Sequence, residues 1–372
     1  IIPMVFTSIS LAIGSIADTR TMGRISAKTL FWFLLCSFLA LLLAGCVGYG
    51  TYSMGLFNTH IEGLTEATGS TGSNPLNVVL NIIPSNIVTA FGSNGAVLSS
   101  VFLAVATGLS MNTLGESRTA SLRRLLGEVN DVVVVFLNFI VSNFAPFAVF
   151  VLLTRTFAIY GIDYLKPALV YVVVTVVLLL AFLIIAYPLV IALGAKLNPF
   201  TFIRKIANVA GFGFSTSSSA ATLPVALECA RKSSVLSRTM VEFMVPLGAT
   251  VHLCGSVLTE TFFVMTISLM LYGSLPSVGT MLLFCVLLGI FAVGAPGVPG
   301  GTVVASLGIV TGVLGFDPNG VALLIAIFAL QDSFGTACNV TGDGALTLML
   351  EGLFNRNGEL GPLQDVAPAE KV

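Results

Sequence analysis

Long apolar stretches alternate with short polar ones along almost the whole chain. The apolar segments run at about 1–17, 29–49, 76–114, 125–155, 164–195, 206–230, 238–272, 279–315 and 319–352. Most of them match the roughly 20 mainly apolar residues that a helix needs to cross a bilayer. The pattern therefore predicts an all-α polytopic membrane protein.

The basic residues fall almost only between these segments. Loops rich in Lys and Arg stay on the cytoplasmic side of a membrane. Two basic clusters predict inner loops: Arg20, Arg24 and Lys28, and then Arg118, Arg123 and Arg124. The stretch 51–74 carries acids but no base, so we expect it on the outer side.

Two segments break the alternation of inner and outer loops. Segment 206–230 has basic residues on both sides and is too short to cross twice, which predicts a re-entrant hairpin turning at 215–219. Segment 279–315 is interrupted at 294–301 and has no base at either end, which suits a second hairpin entering from outside. Opposed hairpins, each followed by a long helix, are typical of inverted repeats with broken helices. Ordinary helices kinked by Gly and Pro are the alternative.

Composition agrees with a membrane class and excludes nucleic-acid binding. Hydrophobic residues make up 56% of the 372 residues and charged residues only 9%, against roughly 25% charged residues in soluble domains. Sixteen basic and seventeen acidic residues leave a net charge of -1, with no basic excess for phosphates. The six cysteines lie singly without a C-x-x-C pair, so we expect isolated buried thiols and no cofactor.

Buried acids without basic partners are the strongest functional signal. No Lys or Arg lies between Arg238 and Arg356, yet apolar segments there carry Glu242, Glu260, Asp332 and Asp343. A carboxylate at membrane depth costs roughly 2.5–3.5 kcal/mol, and such residues usually mark ion or proton pathways. Protons or bound cations must therefore supply the missing positive charge.

Four polar residues on the last apolar segment form a candidate ligand row. Asp332, Thr336, Asn339 and Asp343 are spaced by four, three and four residues, which places them on one helical face. Carboxylate and amide oxygens suit a hard cation such as sodium. A polar seam between helices is the alternative.

The helix breaks offer partial positive charge, opposite to the negative charge of the buried acids. A Ser-rich or Gly-rich break that leads into a half-helix exposes N–H groups and a partial positive charge, which attract anions. The carboxylate of an amino acid fits such a break, and its ammonium group needs an acid such as Asp332.

Four ordered motifs resemble the dicarboxylate and amino acid:cation symporters, the family of the glutamate and neutral amino acid transporters. They are SSSAATLP at 217–224, PLGAT at 246–250, GVPG at 297–300 and NVTGD at 339–343, and the resemblance covers essentially the whole chain. It implies a cation symporter, not an enzyme, in the cell membrane, which is the inner membrane if the source is bacterial. It also implies a lipid-embedded homotrimer that works as an elevator.

The resemblance further implies a division into domains. Residues 1–28, 76–114 and 125–160 would form the trimerisation scaffold, residues 29–49 and 164–355 the moving transport domain, and residues 356–372 a cytoplasmic tail. Because the sequence opens without Met inside an apolar segment, we expect the family's first helix and part of its second to be missing.

Site residues carry over by position from the same resemblance. The implied substrate-binding residues are Ser217, Ser218, Ser219, Ser256, Val298, Gly300, Asp332, Gly335, Thr336 and Asn339. One implied sodium site comprises Gly248, His252, Asn339 and Asp343, and a second comprises Thr250 with carbonyls near Val293 and Ala295.

Departures from the family pattern bear on the substrate. Members that carry acidic substrates have an arginine where this chain has Gly335 or Ser217, so a second carboxylate would lack a partner. We therefore expect small neutral amino acids such as serine, threonine or alanine. A proton- or sodium-coupled dicarboxylate or acidic amino acid carrier is the alternative.

Other departures bear on the coupling ions. Cys36 replaces a threonine of a third sodium site and His252 opens a motif that has lost its aspartate, so we expect no sodium there. Glu260 falls where eukaryotic glutamate transporters place a proton-carrying glutamate. His252 either takes part in proton transfer with Glu260 or is a histidine that only packs between helices. An intramembrane hydrolase lacks support because no G-x-S-x-G motif is present. A passive channel is a further alternative, and it would not accumulate substrate above equilibrium under a sodium or proton gradient.

Overall fold

The computed structural model describes residues 2–14, 20–55, 83–84, 86–92, 97–144, 147, 150–151, 154, 165–233, 235–293, 295 and 297–356. Within these ranges every regular element is a helix, which confirms the predicted all-helical class. Most of the stretch 51–74, the scaffold residues 76–82 and 155–160, and the tail after 356 lie outside the described residues.

The helices are numbered here in chain order. They are α1 (Ile2–Gly14), α2 (Arg20–Ser53), α3 (Ile87–Gly92), α4 (Val97–Leu114), α5 (Glu116–Asn143), α6 (Leu165–Ala181), α7 (Pro199–Thr216), α8 (Ser219–Arg231), α9 (Arg238–Val251), α10 (Cys254–Tyr272), α11 (Val278–Ala292), α12 (Gly301–Leu314) and α13 (Pro318–Arg356). After α6 the chain continues through two π-helical stretches, Phe182–Ala186 and Ile191–Ala195, on either side of one α-helical turn, Tyr187–Val190.

Several helices have the dimensions of membrane spans. Four helical stretches in the described part of the chain are long and apolar enough to cross a bilayer: Ala27–Ser53, Tyr171–Ala195, Met244–Tyr272, which is interrupted at His252 and Leu253, and Gly320–Asn355. This agrees with the predicted membrane class.

Helix α10 lies at the centre of the molecule. Every residue from Cys254 to Leu271 is buried, and α10 packs against α2, α6 and α13. A helix that is apolar on all sides belongs inside a protein or a membrane. The few polar side chains of α10 are therefore enclosed by other helices.

The helices fall into two packed groups. Helix α1 packs against α4 and α5, whereas α2 and α6–α13 pack mainly on one another. Contacts between α4 and α12 and between α1 and α9 join the two groups.

One expectation about helix boundaries was wrong. The basic clusters expected in loops lie inside helices, with Arg118 and Arg123 in α5 and Lys28 in α2. Arg and Lys favour helices, so the helical hydrogen bonding continues past the apolar span. The apolar segment 238–272 is not one helix, because the backbone leaves the helical region at His252 and Leu253 and separates α9 from α10.

Candidate functional site

A first helix break separates α7 from α8 at Ser217 and Ser218. Ser217 ends α7 in the left-handed region, with φ 49°, a conformation that few residues other than glycine adopt. The Ser218 hydroxyl then caps α8 by accepting a hydrogen bond from Ala221 N at 3.1 Å. The two helices pack against each other, and the break falls inside the predicted turn at 215–219.

A second break, at 293–300, separates α11 from α12, which also pack together. Gly300 begins the turn into α12 with φ +69°, a conformation that favours glycine. Within this break Val298 is half-buried.

The two breaks touch each other. The Ser218 hydroxyl donates a hydrogen bond to the Gly297 carbonyl at 2.7 Å, and the Ala220 amide donates to the same carbonyl at 3.0 Å. A β-carbon on Gly297 would lie 3.0 Å from Ala220 N and 3.2 Å from the Ala249 carbonyl. The close approach of three backbone segments therefore favours glycine here.

Helix α13 contributes an acid that reaches the second break. Asp332 is 6% exposed, and its Oδ2 accepts a hydrogen bond from the Gly300 amide at 2.8 Å. The neighbouring Ser333 shares a hydrogen bond of 2.8 Å with the Ser217 hydroxyl. The structure thus brings Ser217, Ser218, Gly300 and Asp332 of the predicted substrate site together, with the buried Ser219 adjacent.

Asn339 holds the start of α10. Its Oδ1 accepts hydrogen bonds from the amides of Gly255 at 2.7 Å and Ser256 at 3.3 Å. Its Nδ2 donates to the Ser256 hydroxyl at 2.9 Å. Leu253, at the N-cap position, has no side chain that could do this, so Asn339 satisfies donors that every helix start leaves unpaired. The resemblance implied a binding role for Asn339, and this structural role was not predicted.

Helices α10 and α13 cross closely beside Asn339. A β-carbon on Gly255 would lie 2.4 Å from the Gly335 carbonyl oxygen. A β-carbon on Gly335 would meet Gly255 and Ser256 backbone atoms only at the ordinary distances of 3.5–3.6 Å. Thr336 is buried one residue further along. A side chain at 335 is therefore bounded by backbone on the α10 side but is not excluded.

The residues of the first predicted sodium site also meet. Asp343 Oδ1 lies 2.9 Å from His252 Nδ1. A β-carbon on Gly248 would lie 2.9 Å from the Asp343 carboxylate, so this carboxylate packs directly against the Gly248 backbone. The His252 amide donates to the Gly248 carbonyl at 2.8 Å. The junction of α9 and α10 thus contains the Asp343 carboxylate, the Asn339 amide one turn away and main-chain carbonyls. This oxygen-rich environment suits a hard cation.

The second predicted sodium site is less closely assembled. The Thr250 hydroxyl donates to the Leu247 carbonyl of its own helix at 2.9 Å. The amides of Val293 and Ala295 bond to carbonyls of the preceding turn of α11. The two parts approach each other through the contact of Ala249 with Gly297 described above.

Glu260 is a buried acid with one partner. It lies on α10 with an exposed fraction of 0%, and its Oε1 accepts a hydrogen bond from the Ser306 hydroxyl of α12. None of the described residues offers a hydrogen-bond partner to Oε2. Nearby, Gln331 of α13 accepts a hydrogen bond from Thr259 at 3.3 Å. The acid therefore joins α10 to the half-helix that follows the second break.

The cysteines are not all isolated, contrary to expectation. The thiols of Cys36 and Cys254 lie with a His252 ring nitrogen in one cluster. The Tyr187 hydroxyl lies 2.6 Å from Cys254 Sγ and 3.4 Å from Cys338 Sγ. His252 and Cys254 are two positions apart, but Cys36, Tyr187 and Cys338 lie far from them in sequence, so no spacing motif could indicate the whole cluster.

Comparison with known proteins places this geometry in context. The model of the sodium:dicarboxylate symporter family matches residues 1–353. The chain is 27% identical over 365 residues to the proton/sodium-glutamate symport protein of Bacillus caldotenax, covering 95% of this chain and 85% of that protein. It is 31% identical over 273 residues to the serine/threonine transporter SstT of Acinetobacter baylyi, covering 71% and 67%. It is 27% identical over 392 residues to the neutral amino acid transporter B(0) of Bos taurus, covering 96% and 71%.

Proposed function

The chain belongs to the sodium:dicarboxylate symporter family, whose members are integral membrane transporters and not enzymes, and on that premise we propose that it is a secondary active symporter of small neutral amino acids. Serine, threonine and alanine are the substrates proposed. Sodium is the proposed coupling ion, with protons as a second one, and the cell membrane is the proposed location.

The choice of neutral substrates rests on the absence of Lys and Arg from the segments that form the candidate site. No Lys or Arg occurs between Arg238 and Arg356, and the first break presents Ser217 where an arginine would be needed. One substrate carboxylate can use the N–H groups of the helix breaks and Asn339. A second carboxylate would be buried without a cationic partner, which is expensive.

Asp332 is proposed to bind the substrate ammonium group. Its Oδ2 accepts a single amide hydrogen bond from Gly300, while a carboxylate can accept about four. The substrate would therefore bring the positive charge that the site lacks, and its binding next to Gly300 would hold the second break closed. Ser217, Ser256, Val298, Gly335 and Thr336 would surround the side chain and carboxylate of the substrate.

Coupling to sodium is proposed to use the oxygens at the junction of α9 and α10. Asn339 and Asp343 lie one turn apart on α13, and Gly248 and the His252 ring lie against Asp343. Sodium bound here would stabilise the α10 start that Asn339 caps. Glu260 is the candidate proton carrier, because it is buried beside the half-helix of the second break with one oxygen unpaired.

We also propose that the two breaks are tips of re-entrant hairpins and that the chain works as a homotrimeric elevator. The packing of α7 on α8 and of α11 on α12 supports the hairpins. The two helix groups, joined by a few contacts such as that of α4 with α12, support a scaffold and a moving unit.

Uptake by proteoliposomes tests the proposal. Labelled serine should accumulate above equilibrium when an inward sodium gradient is imposed, and unlabelled alanine or threonine should compete with it. Strong competition by glutamate or succinate with none by alanine would favour the acidic-substrate alternative, for which the glutamate symport relative provides the precedent. Equilibration without accumulation under every ion gradient would contradict coupled transport.

A further inference from the structure

We propose that Cys36, His252 and Cys254 form a binding site for a thiophilic d10 cation of the Zn²⁺ class, buried in the helical core. Cys36 comes from α2, whereas His252 and Cys254 flank the break between α9 and α10. Their ligand atoms all lie within 4.8 Å of one another. Two thiols and one imidazole are a common donor set for zinc in proteins.

The hydrogen bonding of His252 is the second observation in favour of a metal. Its Nδ1 lies 2.9 Å from Asp343 Oδ1, while its Nε2 is buried and has no hydrogen-bond partner among the residues that the structure describes. Histidines that bind metals usually donate their other ring N–H to a carboxylate, which fixes the tautomer and the ring orientation. The ring also stacks on Phe33, with centroids 5.2 Å apart. His252 is thus held with one nitrogen unsatisfied, a state that costs free energy unless a ligand binds it.

A third thiol lies beside these ligands. The Tyr187 hydroxyl lies 2.6 Å from Cys254 Sγ and 3.4 Å from Cys338 Sγ, so Cys338 borders the cluster without belonging to it. Zinc sites with three protein ligands keep a fourth position for water or another small ligand. Cys36, His252 and Cys254 fit such a three-ligand site.

Charge balance and ligand chemistry both favour zinc over sodium at this point. When Zn²⁺ binds, the Cys36 and Cys254 thiols lose their protons, and the two thiolates neutralise the ion. Sulfur ligands select soft cations, whereas sodium needs oxygens. Cys36 stands where the family resemblance places a threonine at a sodium site, so this chain has exchanged a hard donor for a soft one.

Direct metal binding tests the proposal. The purified chain, reduced and stripped with a chelator, is titrated with Zn²⁺ against a chromophoric chelator, and retained metal is counted after desalting. Co²⁺ is then substituted to reveal thiolate-to-cobalt absorption. We expect about one ion per chain and strong charge-transfer absorption. Loss of a ligand in Cys254→Ser should weaken zinc binding by at least about 100-fold, whereas Cys46→Ser, at an exposed thiol, should bind as the unaltered chain does.

A second measurement keeps the test decisive if Cys254→Ser does not fold. Cys36→Thr alters the other thiol, and alkylation of the unaltered chain with and without Zn²⁺ needs no substitution at all. We expect weaker binding in Cys36→Thr and zinc protection of the buried thiols from alkylation. Failure of the unaltered chain to retain zinc, or equal binding by the Cys36 and Cys46 variants, would overturn the proposal. Transport is not measured, so the result is independent of the proposed function.

Discussion

The substitution Asn339→Ala removes three hydrogen bonds at the centre of the molecule. They join the side-chain amide to the backbone N–H groups of Gly255 and Ser256 and to the Ser256 hydroxyl. Asn339 is 1% exposed, so bulk water does not replace it. The start of α10 would keep its helical geometry but lose its only side-chain cap among the described residues.

The size of the effect follows from these contacts. A buried donor left without a partner costs about 1–3 kcal/mol. The Gly255 bond at 2.7 Å is short and the Ser256 amide bond at 3.3 Å is weak, so the two together should cost about 2–4 kcal/mol. At about 2 °C per kcal/mol for a large chain, the melting temperature should fall by roughly 4–8 °C.

Thermal unfolding of the detergent-solubilised protein, followed by intrinsic fluorescence, measures this loss. Asn355→Ala is the matched control, because Asn355 is exposed on the same helix and, within the described ranges, its side chain bonds only Glu351, at 3.0 Å. We expect the control to stay within about 1 °C of the unaltered chain, as surface substitutions usually do. Equal melting temperatures for the two variants would refute the capping role of Asn339.

Three further substitutions test other contacts. Gly255→Ala puts a β-carbon 2.4 Å from the Gly335 carbonyl, so it should destabilise the fold by about 1–3 kcal/mol. Gly211→Ala is the control, because its β-carbon would meet no other part of the described chain within 4 Å; equal stability of the two variants would contradict the close helix crossing. Glu260→Gln can still accept the Ser306 hydrogen bond but cannot carry a proton, so serine uptake should lose its response to an imposed pH gradient; an unchanged response removes Glu260 from coupling. Gly335→Arg supplies a cation, and glutamate should then compete with serine at least about tenfold better; no gain would weaken the account of substrate choice.

Much of the helical architecture could be predicted from hydropathy alone. The break at Ser217 and Ser218 was predicted because flanking basic residues left too short a segment for two crossings. The break at His252 and Leu253 was missed, and the start of α10 that follows it is capped by Asn339, whose Oδ1 accepts a hydrogen bond from the Gly255 amide 84 residues away. Local sequence carries no record of such a contact.

The sequence could predict which polar residues share one helical face, but not their contacts with other helices. The spacing of Asp332, Asn339 and Asp343 placed them on one face of a helix, and α13 carries all three in a continuous helix. The contact of Ser218 with Gly297, and the cluster of Cys36 with Cys254, depend on how distant helices pack. Periodicity within a segment cannot supply that information.

The central claim is that the cargo and its ion bring the positive charge that the buried acids lack. Serine binding measured by calorimetry with and without sodium tests it most directly. The account predicts that saturating sodium tightens serine binding by about 5- to 150-fold, the range of typical coupling free energies, and that serine tightens sodium binding by the same factor. Equal serine affinity at every sodium concentration and every pH would contradict it.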